Sequence, residues 1–408
     1  MKLLFVTPYL PSPTRFGGQR RMEGLMRELA REHQLSILSL VDPSEDQEEA
    51  RRETQAYCRD VVTVPGRKRS AGGARKRAMQ LASMPSPWSY EALCHHERAM
   101  KRELDRLVRD GAFDVVQVEF SQMAVYGTTR SGGERYVLDE HNVEYDIVRR
   151  TAEADVGLVR RAYSAVNWRK LRREERAAWR TFDGSVVTSA RDRELLLEDV
   201  PSARTALVPN GVDVDAFIPS AAGEQAGTVL FFGALNYHPN TEGVLFFLRE
   251  IWPRTRALSP NARFRVVGPR PPDSIASCRD PGVDIVGYVD DVRTEIARAA
   301  VVVVPLRIGG GTRLKVLEAM ALGKPIVSTS LGAEGIDVRD GENIELVDEP
   351  EAFARRIAAL LEDERRREAL GVAARRLVVE RYSWKAAADR LVNFYRELDH
   401  GASAAGPR

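Results

Sequence analysis

The chain has 408 residues, enough for two domains of about 200 residues each, since single cores rarely grow beyond about 250–300 residues. A net charge of +2 excludes a dominating field of one sign, and three widely spaced cysteines, Cys58, Cys94 and Cys278, point to a reducing compartment without a disulfide framework or a zinc spacing. No segment approaches about 18 uninterrupted apolar residues, so no membrane-spanning helix is expected.

The opening MKLLFVTPYL has too short an apolar run for a signal sequence and meets Pro8 and Pro11, so Leu3–Thr7 reads as a first strand. The loop PYLPSPTRFGGQR leads to a helix over Met22–Arg31 and a strand over Leu35–Leu40. A charged helix over Glu45–Cys58 and a strand over Val61–Val64 come next. Phe113–Val118 and Tyr136–Leu138 read as strands, and Arg150–Thr181 as one long Arg-rich helical stretch. Gly184–Thr188 and Ala206–Val208 complete the first half as strands. This alternation predicts an α/β, mostly parallel, doubly wound sheet.

Pro209-Asn210-Gly211-Val212-Asp213 is a turn, and the small polar stretch Pro219–Gly227 marks a linker. A second series follows: strand Val229–Gly233, helix Gly243–Ile251, strands Phe264–Val267 and Asp284–Val286, helix Asp291–Ala299 and strand Val301–Pro305. A helix from Arg313, strands Ile326–Thr329 and Ile344–Val347, and helices Glu351–Leu361, Arg365–Val378 and Trp384–Leu398 finish the chain.

Val301–Gly323 carries the strongest chemical signal. Four valines end at Pro305, the glycines Gly309, Gly310 and Gly311 follow, Thr312 is placed to cap, and KVLEAMAL has helical periodicity. Strand, glycine turn and helix start present backbone N–H groups and a positive helix end to a phosphate. Arg313 and Lys315 add two cations, which oppose the helix dipole unless an anion is bound. Glu318 lies one turn beyond Lys315, suited to a vicinal diol. The spacing is neither that of a P-loop nor GxGxxG.

Taken together these motifs resemble the retaining, nucleotide-sugar-dependent glycosyltransferases of family 4, which have the GT-B fold. Gly17-Gly18 resembles the family's glycine loop. Val208–Asp213 with Phe217 and Pro219 resembles its interdomain signature, and Gly287-Tyr288-Val289 its base-proximal loop. Glu318-Ala319-Met320-Ala321-x-Gly323-x-Pro325 resembles the second half of its Glu-x7-Glu motif. Tyr382-Ser383-Trp384 resembles the start of its terminal helix. Gly310 stands where the family usually has the first Glu, as in a subgroup with GGGTRLKVLEAMA. A basic pair after the first strand of domain two is replaced by Gly233-Ala234-Leu235-Asn236-Tyr237-His238.

The resemblance implies two doubly wound Rossmann-like domains facing across a cleft. Residues 1–215 would bind the acceptor, 216–227 would link, and 228–380 would bind a nucleotide sugar. Residues 381–400 would return as a helix to the first domain, with 401–408 a disordered tail. His141, Arg313, Lys315 and Glu318 would be catalytic. Gly17, Gly18, His238, Tyr288, Val289, Gly309–Gly311 and Thr312 would hold donor and nucleotide. Glu119, Asn142 and Ser189 would line the acceptor side. His33, His95, His96 and His400 read as surface residues.

The implied reaction moves a sugar from a nucleotide diphosphate sugar to a glycan or lipid-linked saccharide, with retention, in polysaccharide biosynthesis. No cofactor or divalent ion is expected, because Arg313, Lys315 and the helix end take that electrostatic part. Alternatives are a nucleotide-sugar-binding scaffold, which Gly310 makes conceivable, and an epimerase on the same fold. Arg67–Arg69, Arg75–Arg77 and the ten basic residues within Arg149–Arg180 suggest contact with an anionic leaflet. The expected location is cytoplasmic, at the inner face of the plasma membrane. No nucleic-acid partner is expected.

Overall fold

The structure, a computed structural model, describes the chain apart from residues 15, 45, 67–72, 129–131, 155–156, 220–222, 310–312 and 404–408. Gly310, Gly311, Thr312 and Arg67–Arg69 therefore lie outside the described residues, as do the side chains of Arg75–Arg77. The chain divides into unit 1, Met1–Pro209 with Ala387 onward, and unit 2, Asn210–Ala386. The division falls ahead of the boundary expected after residue 215. Arg375 accounts for this, since its guanidinium donates to the carbonyls of Val214 and Phe217 at 2.8 and 2.6 Å.

Unit 1 holds strands β1 (Lys2–Thr7), β2 (Gln34–Val41), β3 (Asp60–Pro65), β4 (Val115–Glu119), β5 (Arg135–Glu140), β6 (Gly184–Val187) and β7 (Thr205–Leu207). They form one parallel sheet in the order β3-β2-β1-β4-β5-β6-β7. Unit 2 holds β8 (Thr228–Phe232), β9 (Arg263–Val267), β10 (Val283–Gly287), β11 (Val301–Val304), β12 (Ile326–Ser328) and β13 (Glu345–Leu346), ordered β10-β9-β8-β11-β12-β13 and also parallel. The strands are apolar runs because helices cover both faces of such a sheet. β4, β8 and β11 are buried at every residue.

Several elements differ from the pattern reading. The long stretch from Arg150 is two helices, Glu144–Ala154 and Leu158–Thr181. The helix after β8 begins at His238 rather than Gly243, because Pro239 is tolerated in a first turn. Helices at Gly73–Ser83, Tyr90–His95 and Arg98–Gly111 were not anticipated. In the last, Met100, Leu104 and Val108 recur at intervals of four and are buried, a signal that was present in the chain. The helix after β11 is preceded by Arg313 in extended backbone, so Arg313 rather than Thr312 occupies the capping position. The terminal helix runs Trp384–Ser403, so residues 401–403 are helix rather than tail. Within unit 1 it buries Leu391, Phe394, Tyr395 and Leu398. Gly184 of β6 gives it room, since a Cβ there would lie 2.5 Å from the Phe394 ring.

Among the described residues, Gly268, just after β9, makes the tightest backbone approach in unit 2: an added Cβ would lie 1.8 Å from the Gly233 carbonyl oxygen. Gly287 has φ +80° but nothing within 4 Å of an added Cβ. Gly268→Ala is expected to destabilise by about 3 kcal/mol, against about 1 kcal/mol for Gly287→Ala. Thermal unfolding of the two variants checks this, and equal losses would contradict it.

Candidate functional site

Chain order reverses between β1 and β4 in unit 1 and between β8 and β11 in unit 2, and ligands of open α/β sheets sit at the carboxyl ends around such points.

In unit 1, Glu119 is the last residue of β4, Asp139 and Glu140 end β5, and His141 follows. All four side chains are buried. Arg21, from the helix Gly17–Leu29 after β1, reaches the same point. Its guanidinium donates to both carboxylate oxygens of Asp139, with contacts of 2.9–3.3 Å, and to the Val208 carbonyl at 3.0 Å. The second carboxylate, Glu119, accepts from Gln117 Nε2 at 2.7 Å and lies 2.7 Å from His141 Nε2. The Tyr395 hydroxyl of the terminal helix bonds Gln117 Oε1.

Phe120, at φ +71°, stacks on His141 with ring centroids 3.6 Å apart. Gly18 lies under this aromatic group, since a Cβ on it would stand 2.6 Å from the Tyr9 hydroxyl and 2.9 Å from Phe120. Burial pushes the Glu119 carboxyl up to about 7 and the His141 imidazole down to about 3, so His141 is neutral at pH 7. Glu119, Asp139 and His141 each offer an atom within 4.8 Å of the others. The set does not fit a metal ion, because Arg21 engages both Asp139 oxygens and would face any cation placed there.

Behind β5 lies an acidic group that the sequence reading missed. Glu140 Oε1 accepts from Trp179 Nε1 at 2.6 Å, while its Oε2 is buried without a hydrogen-bond partner among the described residues. Glu175 accepts the backbone N–H groups of Glu144 and Tyr145 at 2.8 and 3.1 Å. Burial, then neighbouring carboxylates, pushes Glu144 up to about 7, Glu175 up to about 8 and Glu140 well above the usual range.

In unit 2 the cations gather at the ends of β8 and β11. Lys315 Nζ donates to Asn240 Oδ1 at 2.7 Å and lies 4.2 Å from the centre of the Phe231 ring. Burial, then Arg313, pulls its ammonium down to about 7. Gly233 turns away at φ +142°, where a Cβ would come within 3.0 Å of Lys315 Nζ. Gly309, at φ +114°, leaves room for the Arg313 guanidinium, 3.1 Å from its missing Cβ. Arg313 and Glu318 are both buried. Asn240 was not anticipated; a polar residue in the first turn after β8 was the available signal.

Of the other expected residues, Gly17 opens the first helix, Asn142 is half-buried, and His238 opens the helix His238–Phe246 on the surface. Tyr288 is 70% exposed and Val289 packs on the unit 2 core. Ser189 caps the helix Ala190–Asp199: its hydroxyl accepts from the Asp192 N–H at 3.1 Å and donates to Asp192 Oδ2 at 2.7 Å. Trp168, Arg169, Arg172, Arg173, Arg176 and Arg180 line an open cavity on the helix Leu158–Thr181. Arg172 is paired there with Asp199. Among the described residues no helix is long and apolar enough to cross a membrane.

A family model described as "Glycosyltransferase Family 4" matches residues 17–216, and one described as "Glycosyl transferases group 1" matches 226–363. A phosphatidyl-myo-inositol mannosyltransferase of Mycobacterium tuberculosis is 32% identical over 206 residues, 47% of this chain and 53% of the relative. A D-inositol 3-phosphate glycosyltransferase of Geodermatophilus obscurus is 30% identical over 230 residues, 50% of each chain. The chain thus spans about half the length of the curated relatives it matches. Among solved structures, a sucrose-phosphate synthase from Thermosynechococcus elongatus superposes with TM-score 0.68 at 18% identity, covering 98% of this chain and 100% of that one. Anabaena HepE in complex with UDP gives TM-score 0.68 at 15% identity, covering 97% and 100%. The chain belongs to the family 4 glycosyltransferases and has their GT-B fold of two Rossmann-like domains.

The buried carboxyls give unit 1 a pH signature. Unfolded, a glutamate titrates near about 4.3; folded, Glu140 holds its proton well above that. The folded state then binds more protons than the unfolded one between those values, so this contribution to stability falls as pH rises. Glu140→Gln keeps an acceptor for Trp179 and removes the titration. The difference in Tm between variant and wild type is expected to move in favour of the variant as pH is raised from about 6 to about 8.5. A difference that stays constant with pH would contradict this.

Proposed function

We propose that this chain transfers a sugar from a nucleotide diphosphate sugar to an acceptor hydroxyl, with retention of anomeric configuration. The observation that carries the reading is Lys315. Its hydrogen bond goes to a neutral amide, it sits in the first turn of a helix beside Arg313, and burial depresses its charge. A bound diphosphate relieves all three costs, and a cationic wall aimed at a leaving group whose charge grows stabilises the transition state. Gly309, at positive φ, would allow close backbone approach of a phosphate, and Glu318, one turn beyond Lys315, would accept ribose hydroxyls. His141 faces a sugar hydroxyl from unit 1. No divalent ion is required in this reading, because Arg313 and Lys315 take its part.

The acceptor is a glycan or a lipid-linked saccharide of polysaccharide assembly. Both named relatives carry inositol in their names, which adds an inositol phosphate to the first acceptors to test. Arg169, Arg176 and Arg180 would touch an anionic leaflet of the cytoplasmic membrane. Co-sedimentation with anionic but not neutral phospholipid vesicles, lost at high salt, is the expected result. Equal partition to both vesicles would remove that contact from the proposal.

The test of the donor site is thermal unfolding with UDP, GDP, ADP and dTDP, for wild type and Lys315→Ala, followed by turnover in the presence of EDTA. One nucleotide at about 100 times its Kd is expected to stabilise the wild type by about 2.7 kcal/mol and the variant far less. Because Lys315 titrates near 7, binding above that pH takes up a proton, and Kd is expected to rise by up to about tenfold per pH unit between pH 7 and 9. No shift with any nucleotide would remove the donor site. Binding without turnover on any acceptor would leave a nucleotide-sugar-binding scaffold.

A further inference from the structure

Four buried side chains from three elements form one hydrogen-bonded line in unit 1. It runs from the Tyr395 hydroxyl to Gln117 Oε1, from Gln117 Nε2 to Glu119 Oε1, and from Glu119 Oε2 to His141 Nε2. The direction of the line is set by its first member. Tyr395 donates to the Gln117 carbonyl oxygen, which leaves the amide nitrogen of Gln117 to donate to Glu119. Glu119 Oε1 is therefore an acceptor whether or not the carboxyl is ionised, and the exchangeable proton of the pair belongs to the bond between Oε2 and Nε2.

The imidazole is fixed in orientation as well. Phe120 stacks on it, interplanar angle 18°, and the His141 carbonyl accepts from the Thr188 hydroxyl at 3.2 Å. Among the described residues nothing bonds His141 Nδ1. The charged and titratable groups facing the pair are Asp139 and Arg21, already joined to each other, and the Tyr395 phenol.

We propose that Glu119 is a positioning residue that decides whether His141 presents Nδ1 as a hydrogen-bond donor or as an acceptor. With Glu119 protonated, its Oε2–H donates to Nε2 and the imidazole carries its hydrogen on Nδ1. With Glu119 ionised, Nε2–H donates to Oε2 and Nδ1 offers a lone pair. The change from the first state to the second is balanced. The Oε2–H bond breaks as Nε2–H forms, the Nδ1 proton leaves to solvent or to a hydroxyl-bound partner, and the negative charge rests on Glu119. The imidazole is neutral in both states. This agrees with burial pushing the carboxyl up to about 7 and the imidazole down to about 3. Arg21 is close enough to hold the resulting charge within the usual reach of pH.

The role of this switch in transfer rests on the reading that His141 faces a sugar hydroxyl. That hydroxyl would meet a donor at low pH and an acceptor at high pH, which is a pH-dependent term in turnover that nucleotide binding in unit 2 does not share.

The experiment follows the imidazole nitrogens of His141 by long-range ¹⁵N–¹H NMR on full-length protein, assigned by the loss of one signal set in His141→Asn. In wild type the pattern is expected to pass from the Nδ1–H to the Nε2–H tautomer as pH rises through about 7. In Glu119→Gln the amide donates to Nε2 at every pH, so the Nδ1–H form is expected throughout, and the inflection of kcat near pH 7 is expected to disappear. The loss in kcat at pH 8 is expected to be about tenfold or more, with the nucleotide Kd unchanged. A wild-type tautomer that does not change between pH 6 and 8.5 overturns the proposal without need of any variant. So does a Glu119→Gln protein that keeps both the tautomer change and the inflection. A tautomer that switches as described while His141→Asn retains full turnover upholds the pairing of Glu119 with His141 and overturns its link to transfer. Loss of nucleotide stabilisation in Lys315→Ala reports on the donor site alone, so the failure of that reading is seen separately.

Discussion

The buried pair of Arg21 with Asp139 is the contact on which the functional end of unit 1 depends. Arg21 comes from the first helix, Asp139 from β5, and the Val208 carbonyl that Arg21 also engages lies beyond β7. One guanidinium thus ties together three distant parts of the sheet's carboxyl edge. An ion pair this deep adds little net stability over an apolar replacement, but removing one partner strands a charge in the interior, at a cost of about 3–5 kcal/mol. Its consequence is geometric. Asp139 fixed near the end of β5 sets where His141, two residues on, leaves the sheet, and Glu119 at the end of β4 and Phe120 just after it close on that ring.

Unit 2 solves a different electrostatic problem with similar topology. Its switch point gathers cations rather than a closed acid–base pair, and it leaves Lys315 bonded to an amide. Glycines make that gathering possible. Gly233 and Gly309 have no side chains where Lys315 and Arg313 lie, and both hold backbone angles that side-chain-bearing residues disfavour. Burial, then the neighbouring Arg313, pulls the Lys315 ammonium below its ordinary range at this point.

The two units therefore store opposite kinds of ionisable group, carboxyls pushed above their usual range in unit 1 and an ammonium pulled below its usual range in unit 2. Both follow from burying ionisable groups where helices cover a parallel sheet and water is excluded. The same packing that makes the strands apolar perturbs whatever polar residues terminate them.

The alternation of apolar strands and amphipathic helices, and the ordered motifs from Gly17 to Trp384, made the fold class and family legible in the chain, because periodicity and glycine spacing are local properties. Arg313, Lys315 and His141 stood out as candidates on the same local grounds, each lying after a strand end or at a helix start, and Glu318 stood out one turn further on. Asn240, Arg21, Gln117 and the acidic group of Glu140, Glu144 and Glu175 were not. Their meaning lies in contacts across tens to hundreds of residues, such as Arg21 with Asp139 or Tyr395 with Gln117. Ser189 shows the converse: a strand-end serine fits a ligand contact in sequence, but the fold engages its hydroxyl with Asp192 as a helix cap. The sequence by itself determined the strands of both sheets, most of the helices and which strand ends carry polar groups. Only the tertiary structure decided which of those groups meet, how deeply each is buried and which way each proton points, because these depend on packing between elements that no local pattern records.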